Sequence, residues 1–143
     1  MIYFDSSALV KKYVQEAGSE KVFDLIARAG MPVTAKLAYP EILAGLGRKR
    51  REKGIGEKDF KAAVETFESD WAAFLVIEFQ DELLPVIKQL SLQYALKGAD
   101  LVHLASAVWF KRASREKIQF VASDLQLLKA AKSEKIEVVN PED

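Results

Sequence analysis

The chain has 143 residues, half of them hydrophobic, which suffices to bury one core of ordinary domain size and is too little for two. Its 21 Lys and Arg balance its 21 Asp and Glu, so no overall field draws in a polyanion, and any nucleic acid must be held by a local patch. Cysteine is absent, which excludes disulfides, thiolate zinc sites and a cysteine nucleophile and agrees with a reducing compartment.

In chain order, Ile2 to Phe4 is a short apolar run suited to a buried strand, and amphipathic stretches from Ser6 to Gln15 and Ser19 to Ala29 predict helices. Pro32 to Ala35 is the next strand candidate, followed by a helical pattern from Tyr39 to Lys53. Between Glu57 and Trp71, the side chains of Phe60, Val64, Phe67 and Trp71 recur at the spacing of one helix face. A strand is expected within Phe74 to Phe79, and Leu83, Ile87, Leu90 and Tyr94 then repeat the helical stripe. Asp100 to Arg112 reads as helix, Ile118 to Ala122 as strand, Asp124 to Lys132 as helix and Ile136 to Val139 as a closing strand. Gly18, Gly30, Gly54 and Gly98 fall between these elements.

Strands alternating with helices need crossover connections, so the expected fold is α/β: a three-layer α/β/α sandwich around a mostly parallel sheet of roughly five strands. With no repeat, low-complexity tract or linker, residues 1–143 read as a single domain. The N-terminus lacks a basic region before a long apolar core, and no apolar run approaches the roughly 18 residues of a membrane span. A cytoplasmic protein without membrane contact is expected.

In open parallel sheets, ligands collect beyond the carboxyl ends of the strands. Asp5 follows the first apolar run directly, and Asp124 follows Phe120-Val121-Ala122-Ser123. Glu41 and Asp100 lie at or near the starts of two further helices. Each acid alone is explained by helix capping, because Asp is a preferred N-cap and acids in a first turn complement the positive helix end. As a set they are harder to dismiss: four carboxylates converging on one crevice would repel one another unless a cation is bound. Mg²⁺ suits such a site because it takes oxygen ligands and keeps several waters, and Mn²⁺ accepts the same ligands. Zinc is disfavoured by the absence of Cys and the single His.

These residues also carry a resemblance. Tyr3-Phe4-Asp5-Ser6-Ser7-Ala8-Leu9-Val10-Lys11 resembles the opening of PIN domains, in particular the VapC-type toxins of toxin–antitoxin pairs. Ala38-Tyr39-Pro40-Glu41-Ile42 is similar to their second acidic motif, and Gly98-Ala99-Asp100-Leu101-Val102-His103-Leu104-Ala105-Ser106-Ala107 to the third. Ser123-Asp124-Leu125 through Lys129-Ala130-Ala131, closing at Val139-Asn140-Pro141, is similar to the fourth and to the final strand. Each motif is weak alone, and four in order are specific. Three positions depart from the pattern: Leu125 and Gln126 stand where many relatives carry basic residues, and Lys135 where glycine is frequent.

The resemblance implies a metal-dependent ribonuclease that cleaves a phosphodiester with a metal-activated water and leaves a 5′-phosphate. It places the catalytic, metal-binding acids at Asp5, Glu41, Asp100 and Asp124, with Glu41 holding the metal or orienting the attacking water. It also implies an antitoxin that covers the crevice, and a homodimer. Ser7 and Ser123 are candidates to hydrogen-bond the metal ligands, with helix capping as the plainer role. His103, three residues after Asp100, faces the same way and reads first as a structural histidine.

Arg48, Lys49, Arg50, Arg51 and Lys53 form the one dense basic run. A solvated helix end explains it, and Arg48, Arg50 and Arg51 are the candidates for an RNA phosphate track leading from Glu41. The Phe60, Phe67 and Trp71 stripe reads as core before base stacking. Other functions compete less well. A phosphoaspartyl enzyme of the haloacid dehalogenase type wants a second acid where Ser7 stands, a receiver domain wants paired acids and a lysine that are missing, and there is no Gly-rich phosphate loop. The remaining alternatives are a PIN fold that grips RNA or protein without cutting, and an RNA-processing nuclease without an antitoxin.

Overall fold

Five short strands form one parallel sheet in the order β3-β2-β1-β4-β5: β1 (Ile2–Phe4), β2 (Val33–Ala35), β3 (Leu75–Ile77), β4 (Gln119–Val121) and β5 (Glu137–Val139). The computed structural model describes residues 1–143. Each strand lies within an apolar run predicted from the sequence, trimmed to three residues. Seven helices connect and cover them: α1 (Ser6–Leu9), α2 (Ser19–Ala29), α3 (Ala38–Arg51), α4 (Glu57–Trp71), α5 (Leu84–Gln93), α6 (Gly98–Ser114) and α7 (Leu125–Ser133).

Strand periodicity decides the layers. Ile2 and Phe4 point to one face of the sheet, where they pack with Leu9, Val22, Leu25, Ile42, Leu46 and Phe67. Tyr3 points to the other, against Phe120, Leu90, Leu104 and Leu127. Helices α1 to α4 therefore cover one face and α5 to α7 the other, the three-layer α/β/α sandwich that the alternation predicts. Register sets Tyr3 opposite Phe120, with the rings stacked at a centroid distance of 5.2 Å. The aromatic stripe of α4 is core: Phe67 is fully buried and meets the rings of Tyr13, Tyr39 and Trp71 at 5.3 to 5.6 Å.

One expectation fails. Ser6 to Gln15 is not a single helix, because α1 stops at Leu9 and a 3₁₀ turn over Val10–Lys12 follows. An α-helix turning about 100° per residue would set Lys11 roughly opposite Leu9. The tighter turn buries both, and the Lys11 ammonium then lies 3.1 Å from Glu16 and 3.5 Å from Glu142. At the other end of the chain, Lys135 adopts a left-handed φ of 62° just past α7. That backbone conformation favours glycine, which explains why glycine is frequent there in the resembled family.

Strand β1 is central, and the chain leaves it toward β2 on one side and returns as β4 on the other. The switch point between β1 and β4 brings the segments after these two strands together.

Candidate active site

Asp5 directly follows β1 and is buried, with 4% of its surface exposed. Its N–H donates to the Val121 carbonyl at 2.9 Å, which keeps the backbone tied to β4 past the end of the strand. Oδ2 accepts the Ser7 N–H at 3.2 Å and the Ser7 hydroxyl at 2.5 Å. That hydroxyl in turn accepts the Ser123 N–H at 3.0 Å, joining the segments after β1 and β4. Asp124 is exposed and caps α7, its Oδ1 accepting the Leu127 N–H at 3.0 Å. Capping is thus real for Asp5 and Asp124, and it fixes their carboxylates at the switch point.

Asp100 lies in the first turn of α6 and Glu41 in the first turn of α3. Burial raises the pKa of Asp100, the charges of Asp5 and Asp124 raise it further, His103 opposes them, and Glu41 adds the smallest upward effect. Such influence is strong only over short distances. Asp5, Asp124 and Glu41 therefore lie near enough to Asp100 to act on its charge. Glu41 differs from Asp100: burial pushes its pKa up, but hydrogen bonds and charge from His103 and the bond from Ser6 outweigh this and hold it below the ordinary value.

Behind Glu41 lies a buried polar chain that the sequence did not reveal. His103 is fully buried one helical turn after Asp100. Its Nε2 is 2.6 Å from Glu41 Oε1, 3.0 Å from Ser6 Oγ and 3.5 Å from Asp5 Oδ1. The Ser6 hydroxyl donates to the same Glu41 oxygen at 2.5 Å. On the far side, His103 Nδ1 is 2.8 Å from the Tyr3 hydroxyl. Burial alone would lower the His103 pKa, yet Asp5 and Glu41, with help from Asp100, leave it raised. Ser6 had read as a helix start and Tyr3 as strand core. The sole hint was the position of His103 relative to Asp100.

The Ser123 hydroxyl is buried beside Asp124 and has no hydrogen-bond partner, while its N–H serves Ser7. The basic run lies toward the far end of α3. Arg50 stacks its guanidinium 4.1 Å from the Phe60 ring centroid and 3.6 Å from Glu57, and Lys49 sits 3.6 Å from Glu16. Arg48 and Arg51 are exposed. The run is thus partly engaged in local packing, and it begins about 10 Å along the helix axis from Glu41.

Carboxylate oxygens are ligands of the kind that Mg²⁺ or Mn²⁺ prefers, but no three acidic or imidazole groups stand close enough to close directly on one ion. The five-stranded parallel sheet, with an acid just after β1 and another just after β4, fits the class that the sequence model defines: this chain belongs to the PIN-domain family, whose model matches residues 2–133. Ribonuclease VapC45 of Mycobacterium tuberculosis is 35% identical over 108 residues, covering 76% of this chain and 75% of that protein. Among solved structures, FitAcB from Neisseria gonorrhoeae superposes with a TM-score of 0.71 at 16% identity over 99% of this chain and 98% of that one. A toxin–antitoxin complex from Klebsiella pneumoniae gives 0.64 at 14% identity, covering 99% and 98%. At these identities the structural likeness bears on the fold. No helix is long and apolar enough to cross a membrane.

Proposed function

We propose that this protein is a metal-dependent ribonuclease, the toxin of a type II toxin–antitoxin pair, which hydrolyses RNA phosphodiesters at Asp5, Glu41, Asp100 and Asp124. The observation that carries the reading is the 35% identity over 108 residues to a named ribonuclease, and the influence of Asp5, Asp124 and Glu41 on the charge of Asp100 supports it.

Asp5, Asp100 and Asp124 would hold the cation, with Glu41 completing the set. No three acidic or imidazole groups stand close enough to close directly on one ion. Mg²⁺ fits that spacing because it ordinarily keeps several waters between itself and part of its carboxylate shell. When bound, the cation supplies Lewis-acid chemistry, acidifying water and neutralising charge on phosphoryl oxygens. The protein contributes orientation: Ser7 fixes Asp5, the α7 N-terminus fixes Asp124, and the exposed side of Asp124 leaves the crevice open to a phosphate. An antitoxin partner is supported by the family and by the toxin–antitoxin complex that shares the fold. A homodimer and a cytoplasmic location rest on the family resemblance.

The test is cleavage of total cellular RNA by purified protein with Mg²⁺ or Mn²⁺, against chelator and Asp100→Asn controls, mapping the new 5′ ends. Cuts that require both metal and Asp100 and leave 5′-phosphates are expected. Cuts that persist in chelator or in the Asp100→Asn protein would remove the metal mechanism. No cuts and no calorimetric metal binding would leave a non-catalytic PIN module.

A further inference from the structure

Between α7 and the loop that joins α5 to α6 runs a groove of about 270 Å³, lined by Tyr94, Leu96, Gln126, Lys129, Ala130 and Ser133. Both of its walls run from elements that carry site acids. One wall is the face of α7 that follows Asp124, where Gln126, Lys129, Ala130 and Ser133 recur three and four residues apart. The other is the loop that leads through Leu96 and Lys97 to Asp100 in the first turn of α6. Lys129 lies about 7.5 Å along the helix axis from Asp124, within reach of a strand that has a phosphate in the crevice.

The lining is divided by chemistry. Leu96, Ala130 and the ring of Tyr94 are apolar, and Tyr94 and Leu96 pack against the core, so this surface is fixed before anything binds. The Tyr94 hydroxyl donates to Glu134 at 2.6 Å, which ties the ring to the end of α7. Gln126 and Lys129 are exposed on the rim. The Lys and Arg side chains that form ion pairs are Lys11, Lys12, Lys36, Lys49 and Arg50. Lys97 and Lys129 are outside that set and exposed, so each keeps an uncompensated charge.

A fixed aromatic ring, a free amide and two free ammonium groups match one nucleotide of a single strand: the ring takes the base, the amide its edge and the cations its phosphates. Sites for whole small molecules usually occupy about 300–1,000 Å³, so this groove has room for a base and little more. A docked protein segment gains little from two uncompensated lysines, whereas every nucleotide brings a phosphate. We infer that the groove is the subsite for a nucleotide flanking the scissile phosphate of single-stranded RNA, with its base against Tyr94, the base edge read by Gln126, and the adjoining phosphates on Lys129 and Lys97. This rests on the ribonuclease reading and deepens it, giving the strand a direction out of the crevice and the protein a residue that reads sequence.

The experiment compares wild type with Lys129→Gln, Lys129→Gln plus Lys97→Gln, Tyr94→Leu, Tyr94→Phe and Gln126→Ala. Lys117→Gln, exposed just before β4 at the opposite end of the sheet, is the control. Filter binding of a randomised single-stranded RNA pool across a salt series is read in Asp100→Asn protein, where the ribonuclease reading keeps the RNA intact. Cleavage of the same pool with Asp100 in place and Mn²⁺ present gives KM, kcat and the bases beside each cut.

Lys129→Gln is expected to reduce the slope of log affinity against log salt by about 0.7, and the double variant by about 1.4. Tyr94→Leu should weaken binding about tenfold, as for the loss of one base stack, whereas Tyr94→Phe keeps the ring and binds as wild type does. The losses should fall in KM with kcat within about twofold, because no reacting group is touched. Gln126→Ala should flatten the base preference beside the cut, and Lys117→Gln should match wild type. Lys129 is exposed, so its variants test the groove even if Tyr94→Leu folds poorly. Unchanged affinity and slope in the Lys129 and Tyr94 variants would overturn the inference and leave the groove to a protein partner. Equal losses in Lys117→Gln would overturn it as well, as an effect of bulk charge. A wild type that cuts nothing would remove the ribonuclease reading, and the groove's place in RNA binding would then stand or fall on the binding measurements alone.

Discussion

The hydroxyl of Ser7 accepts the backbone N–H of Ser123 at 3.0 Å while donating to Asp5, so one small side chain joins the chain ends that leave β1 and β4. Removing it in Ser7→Ala leaves a part-buried N–H without a partner and strips the Asp5 carboxylate of its shorter anchor, leaving the Ser7 backbone N–H at 3.2 Å. A stability loss of about 1–3 kcal/mol is expected from the unmet donor, read as a lower urea midpoint. Divalent cation affinity should drop about tenfold or more, as when the support of a metal ligand is lost. Calorimetry with Mn²⁺ on the folded variant checks it, and unchanged affinity would assign Ser7 to capping alone.

Asp100 carries a raised pKa because burial and the acids around it disfavour its charge. A group whose folded pKa lies above its unfolded one destabilises the fold at every pH where it is ionised. Asp100→Asn should therefore raise the melting temperature of metal-free protein at pH 7, by roughly 2 °C if about half a kcal/mol of repulsion is relieved. The same substitution should abolish cleavage. A lower melting temperature in chelator would contradict the crowded-carboxylate picture.

Arg48 and Arg51 are exposed, whereas Arg50 is engaged by Phe60 and Glu57. If the run tracks RNA phosphates, Arg48→Glu with Arg51→Glu should weaken binding and reduce the slope of log affinity against log salt by about 1.4, the value for two single-strand phosphate contacts. Arg50→Glu should instead lower stability through lost packing. Filter binding across a salt series separates the two, and an unchanged slope for the double variant would leave the run as a solvated helix end.

All four tyrosines hold their protons beyond the ordinary range: Tyr3 and Tyr13 first through burial, Tyr39 and Tyr94 first through hydrogen bonds to Glu68 and Glu134. Folded pKa values above the unfolded ones mean that this stabilisation is complete below about pH 10 and is lost as pH rises above it. Phenolate absorbance should accordingly appear at higher pH in the native protein than in urea, and the urea midpoint should fall through the same window. Coincident native and denatured titrations would contradict the Tyr13–Asp70 and Tyr94–Glu134 contacts.

Asp5 and Asp124 were legible because each follows an apolar run directly, and a local pattern marks the end of a strand. Glu41 and Asp100 stood out through helix-start position and family motif. Ser6 and Tyr3 did not, because their partners lie 35 residues away at Glu41 and 100 residues away at His103. Hydropathy assigned Tyr3 correctly to the core and could not report that its hydroxyl meets a histidine there. Charge marked Arg50 for phosphate, and only the packed structure shows Phe60 beneath it.

Periodicity and composition alone determined the α/β class, the five strand positions and an acid at each of four helix starts, since these depend on residues near one another in the chain. Which strand lies beside which depends on contacts across the whole sequence, such as Tyr3 stacking on Phe120. The tertiary structure placed β4 next to β1, and that adjacency lets Ser7 tie the segment of Ser123 and Asp124 to Asp5, while α3 and α6, both packed against β2, bring Glu41 to its anchor on His103.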